Sequence, residues 1–233
     1  MHASSWHSTR LAAAIVDLDG TLVDTLGDFA VALNFMLAEL SLPAVEPAAI
    51  ALMVGRGSEH LIASVLAHVG ADPSRYEAAW SAYQRHYLAI NGRHSIVYPG
   101  AVAGLQALKD AGLKLACLTN KPTAFALPLL EAKGLSQFFD VVFGGDAFVR
   151  KKPYPLPLLK TCEALGTLPA QTLTVGDSSN DARAARAAGC PVILVTYGYN
   201  HGEPIYAVDA DGFAQSLREA AALVRTACPA ALP

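Results

Sequence analysis

The stretch Asp17–Thr25 reads DLDGTLVDT and directly follows the apolar run Leu11–Val16. A short apolar run of this kind is typical of a buried strand, so acidic side chains, a glycine and a threonine stand at the end of a core element. Asp17 and Asp19 lie two residues apart, and in an extended chain their side chains point to the same side. The alternative is an Asp-Gly turn that caps a helix. The pattern favours a polar site at the edge of a sheet.

The composition is that of a globular chain with a substantial core: 233 residues, 53% of them hydrophobic. A net charge of -3 provides no broad basic surface, so we expect no nucleic-acid partner. No apolar run reaches the roughly 18 residues of a membrane span, and no basic stretch precedes a long apolar one. We therefore expect a cytoplasmic protein without a membrane segment.

The four cysteines are scattered along the chain without a Cys-x-x-Cys pair. Cys117 and Cys190 lie in or beside apolar runs, so we expect reduced core or near-core residues rather than disulfides or zinc ligands. The same expectation covers Cys162 and Cys228.

From Leu113 onward, short apolar runs alternate with segments of helical periodicity. The alternation predicts βαβ units and therefore the α/β class, with a Rossmann-like, doubly wound parallel sheet covered by helices on both faces. The strand before Asp17 is expected to join this sheet, and Gly212–Ala227 is expected to be a final amphipathic helix. The predicted strands are Leu115–Leu118, Val141–Phe143, Thr172–Val175 and Val192–Val195, and the predicted helices are Ala103–Ala111, Ala124–Lys133, Pro157–Leu165 and Ala182–Ala188.

Between Asp24 and His94 the sequence shows helical periodicity only. We expect an inserted α-helical cap domain at residues 24–94, with the core domain formed by residues 1–23 and 95–233. The segments Thr21–Thr25 and Arg93–Pro99 are the candidate hinges. The predicted helices of the insert are Gly27–Leu40, Ser58–Val69 and Ser74–Ile90, with turns around Pro43, Pro47 and Asp72-Pro73.

Polar residues follow four of the predicted strands. In an open parallel sheet, ligands bind beyond the carboxyl ends of the strands, where loops and helix N-termini converge. The four segments are therefore expected to form one site. They are Asp17 with Asp19, then Thr119-Asn120-Lys121, then Gly144-Gly145-Asp146 leading to Lys151-Lys152-Pro153, and finally Gly176-Asp177-Ser178-Ser179-Asn180-Asp181.

These residue types suit phosphoryl transfer. A carboxylate such as Asp17 can attack phosphorus and form an aspartyl-phosphate, which divides one difficult displacement into two easier ones. Asp19 could protonate the leaving oxygen and later activate a water molecule. An anion that attacks a phosphoryl dianion is repelled, so positive charge is needed, and Lys152 would neutralise the phosphoryl oxygens.

The remaining polar residues would hold a cation and the phosphoryl group. Mg²⁺ prefers hard oxygen ligands, which Asp17 and Asp177 can provide, with Asp181 in or just outside the coordination shell. The Thr119 hydroxyl and the Asn120 backbone N–H would hold the phosphoryl oxygens in place. Gly20 would allow the backbone to approach the phosphate closely.

This ordered set resembles the haloacid dehalogenase superfamily of phosphotransfer enzymes, and the resemblance covers nearly the whole chain. The helical insert resembles the cap of that family, which closes over the substrate and excludes water. The resemblance implies the following roles: Asp17 is the nucleophile, Asp19 is the acid/base and a metal ligand through its backbone carbonyl, Thr119 and Lys152 bind the phosphoryl group, and Asp177 binds Mg²⁺ with support from Asp181.

Three loops are similar to those of the bacterial phosphoglycolate phosphatases: Val54-Gly55-Arg56-Gly57, Gly144-Gly145-Asp146 and the segment Tyr197–Ile205. This similarity implies hydrolysis of the small phosphomonoester 2-phosphoglycolate to glycolate and phosphate. Arg56 is a candidate partner for the glycolate carboxylate, and the alternative is that it is a solvated residue at the start of a helix.

Other activities on this fold stay open to different degrees. A β-phosphoglucomutase, a pyrophosphatase or a nucleotide phosphatase would keep the same polar set, because specificity resides in the cap. A dehalogenase has no use for Asp19 or for the carboxylates of Asp177 and Asp181. A phosphonatase needs a cap lysine, and residues 24–94 contain none. A non-catalytic binding protein would be expected to lack Asp17 or Asp19. The sequence is equally consistent with a monomer and with a homodimer.

Overall fold

A computed structural model describes residues 10–227 and shows a six-stranded parallel sheet flanked by helices. The strands are β1 (Ala13–Val16), β2 (Val23–Asp24), β3 (Ile96–Val97), β4 (Lys114–Leu118), β5 (Val141–Phe143), β6 (Thr172–Gly176), β7 (Val192–Val195) and β8 (Gly212–Ala214). The α-helices are α1 (Leu26–Glu39), α2 (Pro47–Ala51), α3 (Ser58–His68), α4 (Tyr76–Ile90), α5 (Ala101–Asp110), α6 (Thr123–Ala132), α7 (Leu156–Leu165), α8 (Ser179–Ala188) and α9 (Leu217–Ala227).

The large sheet has the strand order β5-β4-β1-β6-β7-β8, and every pairing in it is parallel. The predicted fold class is confirmed, and the strand before Asp17 lies at the centre of the sheet. From β1 the chain first adds β4 and β5 on one side and then β6, β7 and β8 on the other. The carboxyl ends of β1, β4 and β6 therefore lie next to one another, where such a sheet binds its ligand.

Alternate residues of β1 enter two different apolar clusters. Ala14 and Val16 pack with α5, α6 and α9 on one face of the sheet, whereas Ala13 and Ile15 pack with α7 and α8 on the other. A strand that is buried on both faces has no solvent-facing side on which polar residues are favoured. This explains why the sequence before Asp17 is continuously apolar.

Two local predictions are wrong. The predicted helix Gly212–Ala227 begins only at Leu217, because Gly212–Ala214 pairs with the free edge of β7 as strand β8. The Asp211 carboxylate accepts the Val192 N–H at 2.8 Å and holds the start of β8 against β7. The predicted turn at Pro47 is the start of α2, where proline is tolerated because a first-turn N–H has no partner within the helix.

The helices α1 to α4, here called the helical insert, form most of a separate apolar cluster that contains Leu33, Met36, Ile62 and Tyr83. The chain enters the insert through β2 and leaves it through β3, and these two strands pair antiparallel with Val23 opposite Val97. The sequence predicted the three longer helices but no strands in these connections. The division at residues 24 and 94 stays a prediction, and residues 1–9 and 228–233 of the predicted core lie outside the described residues.

Asp28 connects the two ends of the helical insert. Its side chain is fully buried, and its two oxygens accept the N–H groups of Gly92 at 2.8 Å and of His94 at 2.7 Å. A buried carboxylate is stable only when it is hydrogen-bonded, and these two bonds hold the start of α1 against the segment that returns to the core.

The described cysteines Cys117, Cys162 and Cys190 are buried free thiols, as predicted, and Cys228 lies outside the described residues. Within residues 10–227, every helix is too short or too polar to cross a bilayer.

Gly104 on α5 lies against α9 so closely that a Cβ atom there would stand 2.5 Å from the backbone carbonyl carbon of Leu217. We expect Gly104→Ala to lower the free energy of unfolding by about 1–3 kcal/mol, because overpacking displaces one helix, despite the roughly 1 kcal/mol gained in helix propensity. Urea denaturation measures this change. Ala103→Ser, on the exposed side of α5, should stay within about 0.5 kcal/mol of wild type, and an unchanged urea midpoint for Gly104→Ala would show that the α5–α9 contact is loose.

Candidate active site

The ends of β1, β4 and β6 bring three carboxylates together. Asp17 follows β1, and its N–H donates to the Val175 carbonyl of β6 at 2.9 Å. Asp177 follows β6, and Asp181 lies in the first turn of α8. Oxygen atoms of Asp17, Asp177 and Asp181 all lie within 4.8 Å of one another. The structure thus joins acidic residues that the sequence separates by about 160 positions.

Lys152 neutralises part of this charge. Its buried ammonium donates to Asp181 Oδ1 at 2.7 Å and to the Leu118 carbonyl at 2.9 Å, and it lies 3.0 Å from Asp17 Oδ1. An ammonium has three donors, and each has an acceptor here. Burial lowers the pKa of Lys152, but the charges of Asp17 and Asp181 outweigh burial and raise the pKa above its usual value. Lys152 is therefore charged and held in one position.

One lysine does not balance three carboxylates. The pKa of Asp17 is raised to about 7. Burial is the largest cause, the charge of Lys152 partly offsets it, and the charge of Asp181 adds to it. Burial also raises the pKa of Asp177 well above its usual range, with the charges of Asp181 and Asp17 adding to the effect. A second cation would remove this penalty. Closely spaced carboxylate oxygens are ligands of hard divalent cations, so the residues present fit a divalent metal.

Asp177 is held by hydrogen bonds from two other segments. Its Oδ1 accepts the Thr21 hydroxyl at 3.1 Å, and its Oδ2 accepts the Tyr199 N–H at 2.5 Å. Gly20, with φ +84°, faces this carboxylate, and a Cβ atom there would lie 2.1 Å from Asp177 Oδ2. The sequence suggested that Gly20 makes room for a phosphate. In the structure, the space that its missing side chain leaves is filled by Asp177.

Asp181 has a different set of partners. Its Oδ1 faces Lys152, and its Oδ2 accepts the hydroxyl of Ser178 at 2.7 Å and the Ser178 N–H at 3.2 Å. Ser178 is the residue before α8, so these bonds also cap that helix. Asp181 therefore positions Lys152 and stands beside the other two carboxylates.

Asn120 joins three segments through its side chain. Its Nδ2 donates to the carbonyls of Lys152 at 2.9 Å and of Gly55 at 3.0 Å, and its Oδ1 accepts the Lys152 N–H at 3.0 Å. The neighbouring Thr119 hydroxyl accepts the Lys121 N–H at 3.2 Å. The Asn120 side chain thus fixes the lysine loop and contacts the insert at Gly55, which leaves its backbone N–H for the predicted phosphoryl contact.

Asp19 points toward the helical insert and pairs with Lys121. The Lys121 ammonium donates to Asp19 Oδ1 at 3.0 Å and to Oδ2 at 3.3 Å, and the lysine side chain is only 1% exposed. The rings of Phe29 and Tyr87, from α1 and α4, lie over the ammonium at 4.5 and 4.6 Å. Sequence reasoning gave Lys121 no role, because no local pattern shows that aromatic rings of the insert cover it.

A small cavity of about 20 Å³ lies between the sheet edge and the insert. This volume accommodates roughly one water molecule, so the insert leaves little space over the site. Arg56 is exposed and is not among the lining residues. Those residues are Asp17, Asp19, Phe29, Val54, Gly55, Gly57, Ser58, Leu61, Thr119, Asn120 and Lys121.

Residues 14–195 match the family described as haloacid dehalogenase-like hydrolase. The chain belongs to this family. The match covers β1 and the ends of β4 and β6 with their polar residues, so the resemblance inferred from the sequence, to an enzyme of this superfamily, is confirmed.

Curated relatives of this haloacid dehalogenase-like hydrolase match it over almost its full length. A phosphoglycolate phosphatase of Thiobacillus denitrificans is 44% identical over 220 residues, which cover 93% of this chain and 97% of the relative. A plasmid-encoded phosphoglycolate phosphatase of Cupriavidus necator is 45% identical over 222 residues, covering 94% and 96%. The similarity therefore spans almost the whole length of both relatives.

Two solved structures share the overall fold over almost the whole chain. The crystal structure of a predicted phosphoglycolate phosphatase from Haemophilus somnus 129PT superposes with a TM-score of 0.89 and 32% identity, covering 93% of this chain and 99% of that one. CbbY from Rhodobacter sphaeroides, crystallised with phosphate, gives a TM-score of 0.76 and 26% identity over 90% and 96% of the two chains.

The burial of Asp17 beside other carboxylates predicts the effect of Asp17→Asn on stability. Because the pKa of Asp17 is raised to about 7 in the folded protein, its ionisation destabilises the fold as the pH rises from about 4 to 7. Asparagine keeps the Oδ1 acceptor for Lys152 but removes the charge. In EDTA at pH 8, we expect the Tm of Asp17→Asn to exceed that of wild type by several degrees, and at pH 4.5 the difference should nearly vanish.

The same thermal scans test the metal site. Mg²⁺ should raise the Tm of wild type at pH 8 and leave that of Asp17→Asn unchanged, because ligands that bind only the native state stabilise it. Asp110→Asn, an exposed carboxylate on α5, is the matched control and should keep the Mg²⁺ shift. A lower Tm for Asp17→Asn in EDTA, or an intact Mg²⁺ shift, would contradict this account of the charge cluster.

Proposed function

We propose that the protein is a Mg²⁺-dependent phosphatase that hydrolyses 2-phosphoglycolate to glycolate and phosphate through an aspartyl-phosphate on Asp17. The observation that carries the proposal is the Asp17 carboxylate beside Lys152, at 3.0 Å, within a carboxylate cluster that fits a divalent metal. The substrate is inferred from the two curated relatives named phosphoglycolate phosphatase at 44% and 45% identity.

The residues around Asp17 would prepare the phosphoryl group for attack. Lys152, the Thr119 hydroxyl and the Asn120 N–H would bind the phosphoryl oxygens and align phosphorus with a carboxylate oxygen of Asp17. Mg²⁺, held by Asp17, Asp177 and the Asp19 carbonyl with Asp181 beside it, would offset the negative charge that otherwise repels the nucleophile. Asp17 then forms the bond to phosphorus as the bond to the glycolate oxygen breaks.

Asp19 would act twice. As an acid it gives a proton to the departing glycolate oxygen, and as a base it takes a proton from the water that hydrolyses the aspartyl-phosphate. Asp19 lies two residues after Asp17 and lines the cavity, which suits both steps. Its carboxylate faces Lys121 in this structure, so it must turn toward the leaving oxygen for the reaction.

We also propose that residues 24–94 act as the cap domain. The cavity of about 20 Å³ is too small for a phosphomonoester, so the insert has to move away before the substrate enters. The paired strands β2 and β3 are its two covalent connections to the core and the natural place for that motion. When the cap is closed, it keeps bulk water from the phosphorylated Asp17.

The cytoplasmic location predicted from the sequence forms part of the proposal. The free thiols of Cys117, Cys162 and Cys190 support it, because cysteines stay reduced in the cytosol.

Phosphate release from a substrate panel tests the proposed chemistry. The panel contains 2-phosphoglycolate, β-glucose 1-phosphate, pyrophosphate and a nucleoside monophosphate. Wild type should release phosphate only with Mg²⁺ and with the highest kcat/KM for 2-phosphoglycolate, and EDTA should abolish the activity. Asp17→Asn should lower kcat at least about 1,000-fold, because it removes the nucleophile, and the exposed control Asp110→Asn should retain wild-type rates.

Two results would count against the proposal in different ways. Substantial turnover by Asp17→Asn would exclude the aspartyl-phosphate route. A higher kcat/KM for another ester, with Asp17 and Mg²⁺ still required, would leave the chemistry in place but refute 2-phosphoglycolate as the preferred substrate.

A further inference from the structure

Lys121 is the one cation among the described side chains that line the cavity. Its charge is buried, since only 1% of the side chain is exposed. Apart from Lys121, the walls consist of the proposed catalytic residues and of mainly apolar or small residues of the insert, such as Phe29, Val54 and Leu61. A substrate anion that is enclosed here has to be neutralised by a group already in the cavity.

The Lys121 ammonium has bonding capacity to spare. It has three N–H donors, and its hydrogen bonds to described residues are the two to the oxygens of Asp19. The rings of Phe29 and Tyr87 attract and orient the charge, but they do not replace a hydrogen-bond acceptor. At least one donor is therefore free for a ligand.

The proposed reaction also takes away the partner that Lys121 has. When Asp19 turns to the leaving oxygen of the substrate, the lysine is left in a buried pocket without its carboxylate, which is costly. A second carboxylate, brought in by the substrate, would restore the ion pair. The rings of Phe29 and Tyr87 would keep Lys121 in place during this exchange.

We propose that Lys121 binds the carboxylate of the substrate and thereby selects phosphomonoesters that carry a carboxylate next to the ester carbon. The inference rests on the proposed phosphatase reaction at Asp17 and adds to it the residue that determines specificity. It gives the Asp19–Lys121 pair a second purpose, because the pair keeps the buried lysine charged and in place until the substrate arrives.

The start of α3 lines the same cavity. This helix begins at Ser58, which lines the cavity and is 4% exposed, and Gly57 before it provides no side chain to cap the first turn. Uncapped N–H groups and the helix dipole favour an anion at this position.

Arg56 was the sequence-based candidate for the same contact. Its side chain is exposed and does not line the cavity, and an exposed ion pair contributes much less than a buried one because water screens it. Lys121 has the burial and the position that Arg56 lacks.

The experiment compares 2-phosphoglycolate with its neutral amide, 2-phosphoglycolamide, and its readout is the ratio of the two kcat/KM values. Wild type should prefer the acid about 100-fold, because a buried charge left unpaired discriminates strongly. Lys121→Met should reduce the ratio to near 1, mainly through a higher KM for the acid, whereas Lys121→Arg should keep a preference for the acid. Any effect of the change on Asp19 acts on both esters and cancels in the ratio.

Lys151→Met is the matched control. Lys151 is a neighbouring lysine that pairs with Glu59 at 2.6 Å and does not line the cavity, so the loss of its charge should leave the ratio at the wild-type value. If the ratio decreases equally in Lys151→Met and Lys121→Met, the preference for the acid comes from the general positive potential, and the proposal is overturned.

Other outcomes overturn it as clearly. If kcat for both esters falls in Lys121→Met while the ratio persists, Lys121 only positions Asp19. If Arg56→Met removes the preference and Lys121→Met does not, the carboxylate binds at Arg56. If Lys121→Met does not fold, inhibition of the wild-type enzyme tests the proposal instead. Glycolate should inhibit competitively and glycolamide should not. Equal inhibition by the two compounds would refute a carboxylate site.

Failure of the proposed substrate can be told apart from failure of this inference. If wild type prefers phosphomonoesters other than 2-phosphoglycolate, the proposed function loses its substrate. The role of Lys121 then depends on their charge. A preference for neutral esters overturns it, whereas a preference for esters with a carboxylate that Lys121→Met abolishes supports it.

Discussion

The ion pairing of Lys152 with Asp17 and Asp181 is the constraint on which the rest of the site depends. Three acidic side chains at adjacent strand ends would repel one another in a buried setting, and the lysine ammonium lies 2.7 Å from Asp181 and 3.0 Å from Asp17. Burial, together with the negative charge that Lys152 leaves uncompensated, keeps the pKa values of Asp17 and Asp177 raised. The fold thus holds the carboxylates close together, and a bound divalent cation would reduce the repulsion among them. Unfavourable charge of this kind is typical of binding sites.

Rigid backbone support keeps this charged cluster in place. The Asn120 side chain bonds both the N–H and the carbonyl of Lys152, so the lysine loop cannot shift without breaking two hydrogen bonds. The absence of a side chain at Gly20 lets Asp177 approach the first loop closely. Precise positions matter here because phosphoryl transfer depends on alignment and on preorganised charge more than on covalent chemistry by the protein.

Tyr199 and Lys121 connect the core to the cap. The Tyr199 N–H holds Asp177, and its hydroxyl accepts the N–H groups of Thr25 at 3.0 Å and Leu26 at 3.1 Å, where α1 begins. Lys121 holds Asp19 and lies against the rings of Phe29 and Tyr87. A proposed metal ligand and the proposed acid/base therefore each share a residue with the cap. If the helical insert moves as proposed, these contacts would couple its movement to the position of both groups, which suits an enzyme that has to admit a substrate and then exclude water.

The sequence by itself determined the doubly wound core, because its strands are buried on both faces and the alternation of apolar runs with helical segments is a local pattern. It also identified Asp17, Asp19, Asp177 and Asp181 as candidate site residues, because acidic residues directly after an apolar strand form a pattern that is visible within a few positions. Only the tertiary structure decided that Gly212–Ala214 is a strand, because the free edge of β7 does not show in local periodicity. It alone placed Arg56 outside the cavity and Lys121 inside it. Lys121 and Asp19 are 102 residues apart, and a contact over that separation exists only once the sheet and the cap have packed together.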